Sequence, residues 1–84
     1  MFYVYILKSE KDGKLYIGYT SNLQRRIAEH TDGQNKSTAY RVPLHLVYYE
    51  AYRSQADAEA REVRLKTSAG AYTALKRRIG DCLR

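Results

Sequence analysis

With 84 residues the chain is expected to form one domain over residues 1–84, with a modest core and no separate recognition module. Hydrophobic residues make up 44% and charged residues 29%, a balance that excludes a disordered chain. The formal net charge of +6, from 15 Lys and Arg against 9 Asp and Glu, calls for a polyanionic partner: nucleic acid first, an acidic membrane surface second. It says nothing about chemistry.

The first expected element is a strand over Phe2–Lys8. Both of its alternating sets, Phe2, Val4, Ile6 and Tyr3, Tyr5, Leu7, are apolar or aromatic, as in a strand covered on both faces. Asp12-Gly13 marks a hairpin turn, and Lys14–Tyr19 returns with Leu15 and Ile17 on one side and Tyr16 and Gly18 on the other. Ser21 followed by Gln24 reads as a capping box opening a helix that ends near Asp32-Gly33. Leu23, Arg26, Ile27 and His30 share one stripe of that helix. A stripe used only for packing would not choose Arg and His.

A polar, basic loop over Gln34–Pro43 leads into a third strand, Leu44–Tyr52, rich in Leu, Val and Tyr. Ser54 opens the second helix, where Ala56, Ala60 and Val63 are expected to pack and Glu59, Glu62 and Lys66 to share a neighbouring face. The helix should break over Ser68–Gly70. A last amphipathic helix presents Tyr72, Leu75, Ile79 and Leu83 inward and Lys76, Arg77 and Arg78 to solvent. The expected class is α+β: a small three-stranded, mainly antiparallel sheet flanked by helices in the order β-β-α-β-α-α.

Cys82 is the sole cysteine, which excludes an intramolecular disulfide and fits a reducing, cytoplasmic compartment. The apolar run Phe2–Leu7 is too short to span a bilayer and has no basic leader, so no membrane role is expected. Nine tyrosines accompany a single phenylalanine. Tyrosine suits half-buried strands, and composition alone does not separate that use from a chemical one.

The ordered set Tyr3-Val4-Tyr5, Tyr16-Ile17-Gly18, Arg26, His30 and Glu62 resembles the paired signature of the GIY-YIG nuclease superfamily, over essentially the whole chain. The nearest likeness is to its small single-domain bacterial members. Similar domains occur in the excision-repair incision subunit and in structure-specific endonucleases. Each motif is weak alone; the specificity lies in the order of hairpin, capped Arg-x-x-x-His helix, strand and Glu-bearing helix.

The resemblance implies a Mg²⁺- or Mn²⁺-dependent endonuclease that hydrolyses DNA phosphodiester bonds with little sequence selectivity. Tyr5 and Tyr16 correspond to the signature tyrosines, one activating the attacking water and the other positioning water or phosphate. Arg26 corresponds to the catalytic arginine, whose forked donors suit phosphate oxygens. His30 falls where members carry His or Tyr, to relay a proton or bond phosphate. Glu62 corresponds to the metal-binding carboxylate, with water and substrate phosphate completing the shell. Taken alone, the same residues read as strand tyrosines in a core, a solvated helix arginine, a helix-terminal histidine and a surface Glu62–Lys66 pair.

Arg25, Lys36, Arg41 and Arg64 are expected to flank the site as a phosphate-binding rim. The implied partner is DNA, branched or damaged and met in repair, with a protein partner available to supply targeting. The competing reading is a catalytically weak nucleic-acid-binding module acting with a partner. Two departures stand out. Tyr3 replaces the Gly of the first signature. The Asn that several members place well after the Glu is missing, there being none beyond Asn35, so its task is dispensable or falls to a group such as Thr67 or Ser68.

Overall fold

The computed structural model describes residues 1–32 and 43–84. Strands β1 (Phe2–Ser9), β2 (Leu15–Thr20) and β3 (Leu44–Tyr52) form one antiparallel sheet in the order β2-β1-β3. Helix α1 (Leu23–Thr31) connects towards β3, and α2 (Gln55–Thr67) and α3 (Ala69–Arg78) follow it. A short 3-10 turn, Gly80–Leu83, carries Leu83, so the last helix is shorter than the amphipathic pattern suggested.

The central position of β1 explains why both of its alternating sets are apolar. Val4 and Ile6 pack with Ala58, Leu65, Leu75 and Ile79 on the α2–α3 side, whereas Tyr5 and Leu7 pack with Leu44, Leu46, Tyr16 and Leu23 on the α1 side. Lys8 Nζ donates to the Leu83 carbonyl, tying the last turn to the first side. No described helix is long and apolar enough to cross a membrane.

The hairpin turn is built as its sequence dictates. Gly13 takes φ 71°, the Asp12 carboxylate accepts from the Lys14 amide at 2.9 Å, and Ser9 and Lys14 close the ladder at 3.0 Å. Two local expectations are corrected, and one irregularity is new. The cap of α1 is Asn22, whose side chain accepts from the Arg25 amide at 3.1 Å, and not Ser21. Thr20 decides this: its hydroxyl bonds both the amide and the carbonyl of Asn22, fixing that residue's extended backbone. On α2, Ala58 and Leu65 are buried, while Ala56 and Ala60 are exposed and Val63 is 56% exposed. Small residues occur all round this helix, and the apolar sheet selects the face bearing Leu65. Finally, β1 passes from pairing Ile6 with Tyr48 to pairing Leu7 with Leu46, which leaves Val47 as a bulge. The extra residue brings Leu44 and Leu46 to the α1 side, and Tyr48, Glu50 and Tyr52 to the other.

That second set forms a polar cluster within the apolar layer. The Glu50 carboxylate accepts from Arg61 Nε at 2.9 Å and Nη2 at 3.1 Å, from Tyr48 at 2.7 Å, and from the Tyr52 hydroxyl. Each carboxylate oxygen thus takes one guanidinium and one phenol donor. Burial pushes the Glu50 carboxyl upward, but the Arg61 fork and the two phenols outweigh it and hold it below its ordinary value. The same burial, with the carboxylate beside them, pushes Tyr48 and Tyr52 up to about 12.

Candidate active site

Tyr5 extends from the central strand towards α1 and is 2% exposed. Its hydroxyl lies 3.1 Å from Nε2 of His30, itself 1% exposed in the last turn of α1. The His30 ring also meets Tyr16 edge-on, with centroids 5.4 Å apart and planes at 60°. Three aromatic rings from β1, β2 and α1 therefore converge on one side of the sheet.

Gly18 makes that convergence possible. It pairs with Tyr5 across the hairpin, and a Cβ built on it would overlap the Tyr5 hydroxyl and ring. A glycine is required here for space rather than for backbone freedom.

Arg26 is one helical turn before His30 and half-buried, with Nη1 3.6 Å from Glu29 Oε1. Its charge acts on both buried rings. Burial pushes the Tyr5 phenol up to about 12, and Arg26 only partly offsets it, with Tyr16, Glu62 and Glu29 adding to the rise. Burial also lowers His30 from its ordinary value of 6.5, and Arg26 lowers it further against Glu29. At neutral pH the Tyr5–His30 hydrogen bond therefore joins a neutral phenol to a neutral imidazole, in a direction set by the imidazole tautomer.

A depressed imidazole makes stability pH-dependent with a definite sign. The unfolded chain takes up a proton near pH 6.5, while folded His30 resists it until lower pH. Its contribution is complete above 6.5 and is lost as pH falls through the folded value. Urea midpoints should therefore drop from pH 7.5 to 5.5, and by less in His30→Gln. Equal drops in the two proteins would remove His30 as the cause.

Glu62 comes from α2, whose buried residues pack on the other side of the sheet. The helix also packs against β2, and Lys66, one turn after Glu62, lines a groove of about 310 Å³ at that edge with Leu15, Tyr16, Ile17, Leu65 and Tyr72. The Glu62 side chain is 21% exposed and pairs with Lys66 at 3.1 Å. Its charge is among those felt by the Tyr5 phenol. The described residues contain no cluster of three or more His, Cys, Asp or Glu that could hold a metal. A cation here would rest on the Glu62 carboxylate, a hard oxygen donor suited to Mg²⁺ when water and phosphate complete the shell. The Lys66 pair, half open to water, is a weak competitor.

The rim is less concentrated than its residues suggested. Arg25 is 74% exposed on α1, 3.9 Å from Glu29. Arg64 lies about 200° around α2 from Glu62 and lines an outer groove with Ala60 and Val63, away from the tyrosines. Lys36 and Arg41 lie outside the described residues. Thr67 donates to the Val63 carbonyl, and Ser68 caps α3 by accepting from the Ala71 amide. Both hydroxyls are thus engaged by nearby backbone. Sequence reasoning passed over Glu29, which holds both α1 arginines, although its i+3 and i+4 spacing from them was visible.

The family model described as the GIY-YIG catalytic domain matches residues 1–80. A UPF0213 protein of Staphylococcus haemolyticus is 48% identical over 66 residues, which cover 77% of this chain and 79% of that relative. One of Staphylococcus saprophyticus is 44% identical over the same extent. The solution NMR structure of a UPF0213 protein from Bacillus halodurans aligns with a TM-score of 0.56 at 38% identity, covering 89% of this chain and 82% of that one. The match runs through both tyrosine signatures, the Arg-x-x-x-His helix and the Glu-bearing helix, and the chain belongs to the GIY-YIG catalytic-domain family.

Proposed function

We propose that this chain is a metal-dependent endonuclease that hydrolyses DNA phosphodiester bonds, with residues 1–84 as one catalytic unit. The convergence of Tyr5, Tyr16 and His30 beside Arg26, with the Glu62 charge within reach of Tyr5, supports this reading above all else. Packing alone does not call for a buried imidazole bonded to a buried phenol and flanked by a half-buried guanidinium.

The roles follow from environment. Tyr5, held as a phenol by burial, positions the site and passes hydrogen bonding to His30. Tyr16, which borders an open groove, touches the attacking water. Arg26 directs its fork at the phosphate and exchanges its weak contact with Glu29 for the stronger charge. Glu62 would hold Mg²⁺ or Mn²⁺, and the bound ion would supply Lewis-acid stabilisation of the phosphoryl oxygen. We assign Arg25 a phosphate contact beside Arg26, and Lys36, Arg41 and Arg64 further phosphate contacts with the nucleic acid. Contacts of this kind fix position on the backbone and read little sequence. Branched or damaged DNA met in repair, in the cytoplasm and with a partner for targeting, is the setting we assign.

The test is direct. Purified protein incubated with single-stranded, duplex and branched DNA should cleave with Mg²⁺ or Mn²⁺ and stop on chelation. Binding without cleavage of any of these substrates, under either ion, would replace the nuclease with a nucleic-acid-binding module.

A further inference from the structure

We propose that the Glu50 cluster is a positioning device for Glu62: the Arg61 fork, gripped by Glu50 with Tyr48 and Tyr52, fixes the rotation of α2 that aims the metal carboxylate. The inference rests on the reading of Glu62 as the metal-binding residue.

The geometry begins with helix spacing. At about 100° per residue, Ala58 and Leu65 lie within about 20° of one another and form the stripe facing the sheet. Arg61 then falls about 60° to one side of that stripe, and Glu62 about 40° to the other. Neighbours in sequence, they flank the packed seam. Arg61 reaches Glu50 on β3, and Glu62 serves the opposite side, where Tyr16 and Lys66 share the β2-edge groove.

The seam itself grips α2 poorly. Ala58 and Leu65 are its only buried residues, and alanine offers little to resist rolling about the helix axis. The fork resists it well. Two parallel N–H···O bonds hold the guanidinium in the carboxylate plane, and the two phenols hold the carboxylate itself. Mg²⁺ demands near-octahedral geometry, so a carboxylate displaced by a fraction of an ångström binds it worse. Arg61 and Glu50 touch neither ion nor substrate in this scheme; they act through Glu62.

Arg61→Lys keeps the charge and loses the fork. Tyr48→Phe/Tyr52→Phe keeps the packing and frees the carboxylate. Both should need several-fold more Mg²⁺ for half-maximal cleavage, measured well below their melting temperatures. Mn²⁺ titration without DNA supplies a second readout: broadening of the Tyr16 ring resonances should require several-fold more Mn²⁺ than in wild type. Glu62→Ala is the reference, in which the broadening should be lost over the same Mn²⁺ range and the cleavage should fall by on the order of 10²-fold. If Glu62→Ala impairs both in this way while the two cluster variants keep wild-type Mg²⁺ and Mn²⁺ dependence, the cluster only stabilises and the positioning role is wrong. If Glu62→Ala itself broadens and cleaves like wild type, the assignment of the metal carboxylate fails, and the positioning role with it.

Discussion

Arg26→Ala and Glu62→Ala are each expected to lower the rate of Mg²⁺-dependent DNA cleavage by on the order of 10²-fold or more, the loss of a transition-state contact of about 3 kcal/mol. Folding should survive both changes. Among the described residues, the Arg26 side chain, 39% exposed, makes one loose ion pair, and Glu62 pairs only with Lys66 on α2. The two variants should differ in rescue. Added Mg²⁺ should recover part of the rate in Glu62→Ala, where ion affinity is reduced, and none in Arg26→Ala, where phosphate charge is uncompensated. Tyr16→Phe, which removes a hydroxyl and keeps a ring against His30, should be slow and beyond rescue. Single-turnover rates across a Mg²⁺ series, with circular dichroism to verify folding, decide the matter. Wild-type rates in all three variants would mean that this surface is not where cleavage occurs.

The largest stability effect should come from Glu50. Glu50→Ala leaves the Arg61 guanidinium without its carboxylate and two phenols without their acceptor, inside the α2–α3 layer. Removing one partner of such a largely buried pair costs about 3 kcal/mol, chiefly because the remaining groups are stranded. At about 4–8 °C per kcal/mol for a domain of this size, the melting temperature should fall by more than about 10 °C. Glu50→Gln, which keeps the shape and one of the two acceptor oxygens, should fall in between. The charge also carries a pH signature. Folded Glu50 ionises below its ordinary value of 4.5, so its contribution is complete above that pH and is lost as pH falls through the folded value. A Glu50→Ala protein within about 0.5 kcal/mol of wild type, an ordinary surface effect, would show the cluster to be solvated in practice.

Much of this molecule was legible in its sequence because strong patterns agree with one another. The double-sided apolar character of Phe2–Lys8 announced a strand covered on both faces, Asp12-Gly13 its hairpin, and Ser54 the start of α2. The stripe bearing Arg26 and His30 pointed to the side of α1 that faces Tyr5. Elsewhere the sequence offered near-equal choices that tertiary contacts decided. Ser21 and Asn22 are both good caps, and only the Thr20 hydroxyl separates them. Alanines all round α2 give no periodic contrast. The Val47 bulge is invisible to a period of two, since one extra residue reverses every side chain beyond it. Glu50 was passed over because a glutamate in a strand reads as exposed. The signal was there: Tyr48, Glu50 and Tyr52 alternate on one face, which sets a carboxylate between two phenols.

The fit of Gly18 against Tyr5 has a consequence for how such a chain can vary. The tyrosine of the first signature occupies the space that any side chain at position 18 would need. Two motifs separated by a turn are thus one steric object with two addresses. Residue 18 cannot gain a methyl unless residue 5 gives up its ring, and giving up the ring removes a hydrogen-bond partner of His30. Single substitutions at either position fall into a valley, and only a paired exchange at both crosses it. The hairpin can drift at the exposed Lys11 and Lys14 of its turn, while these two positions are bound to change together.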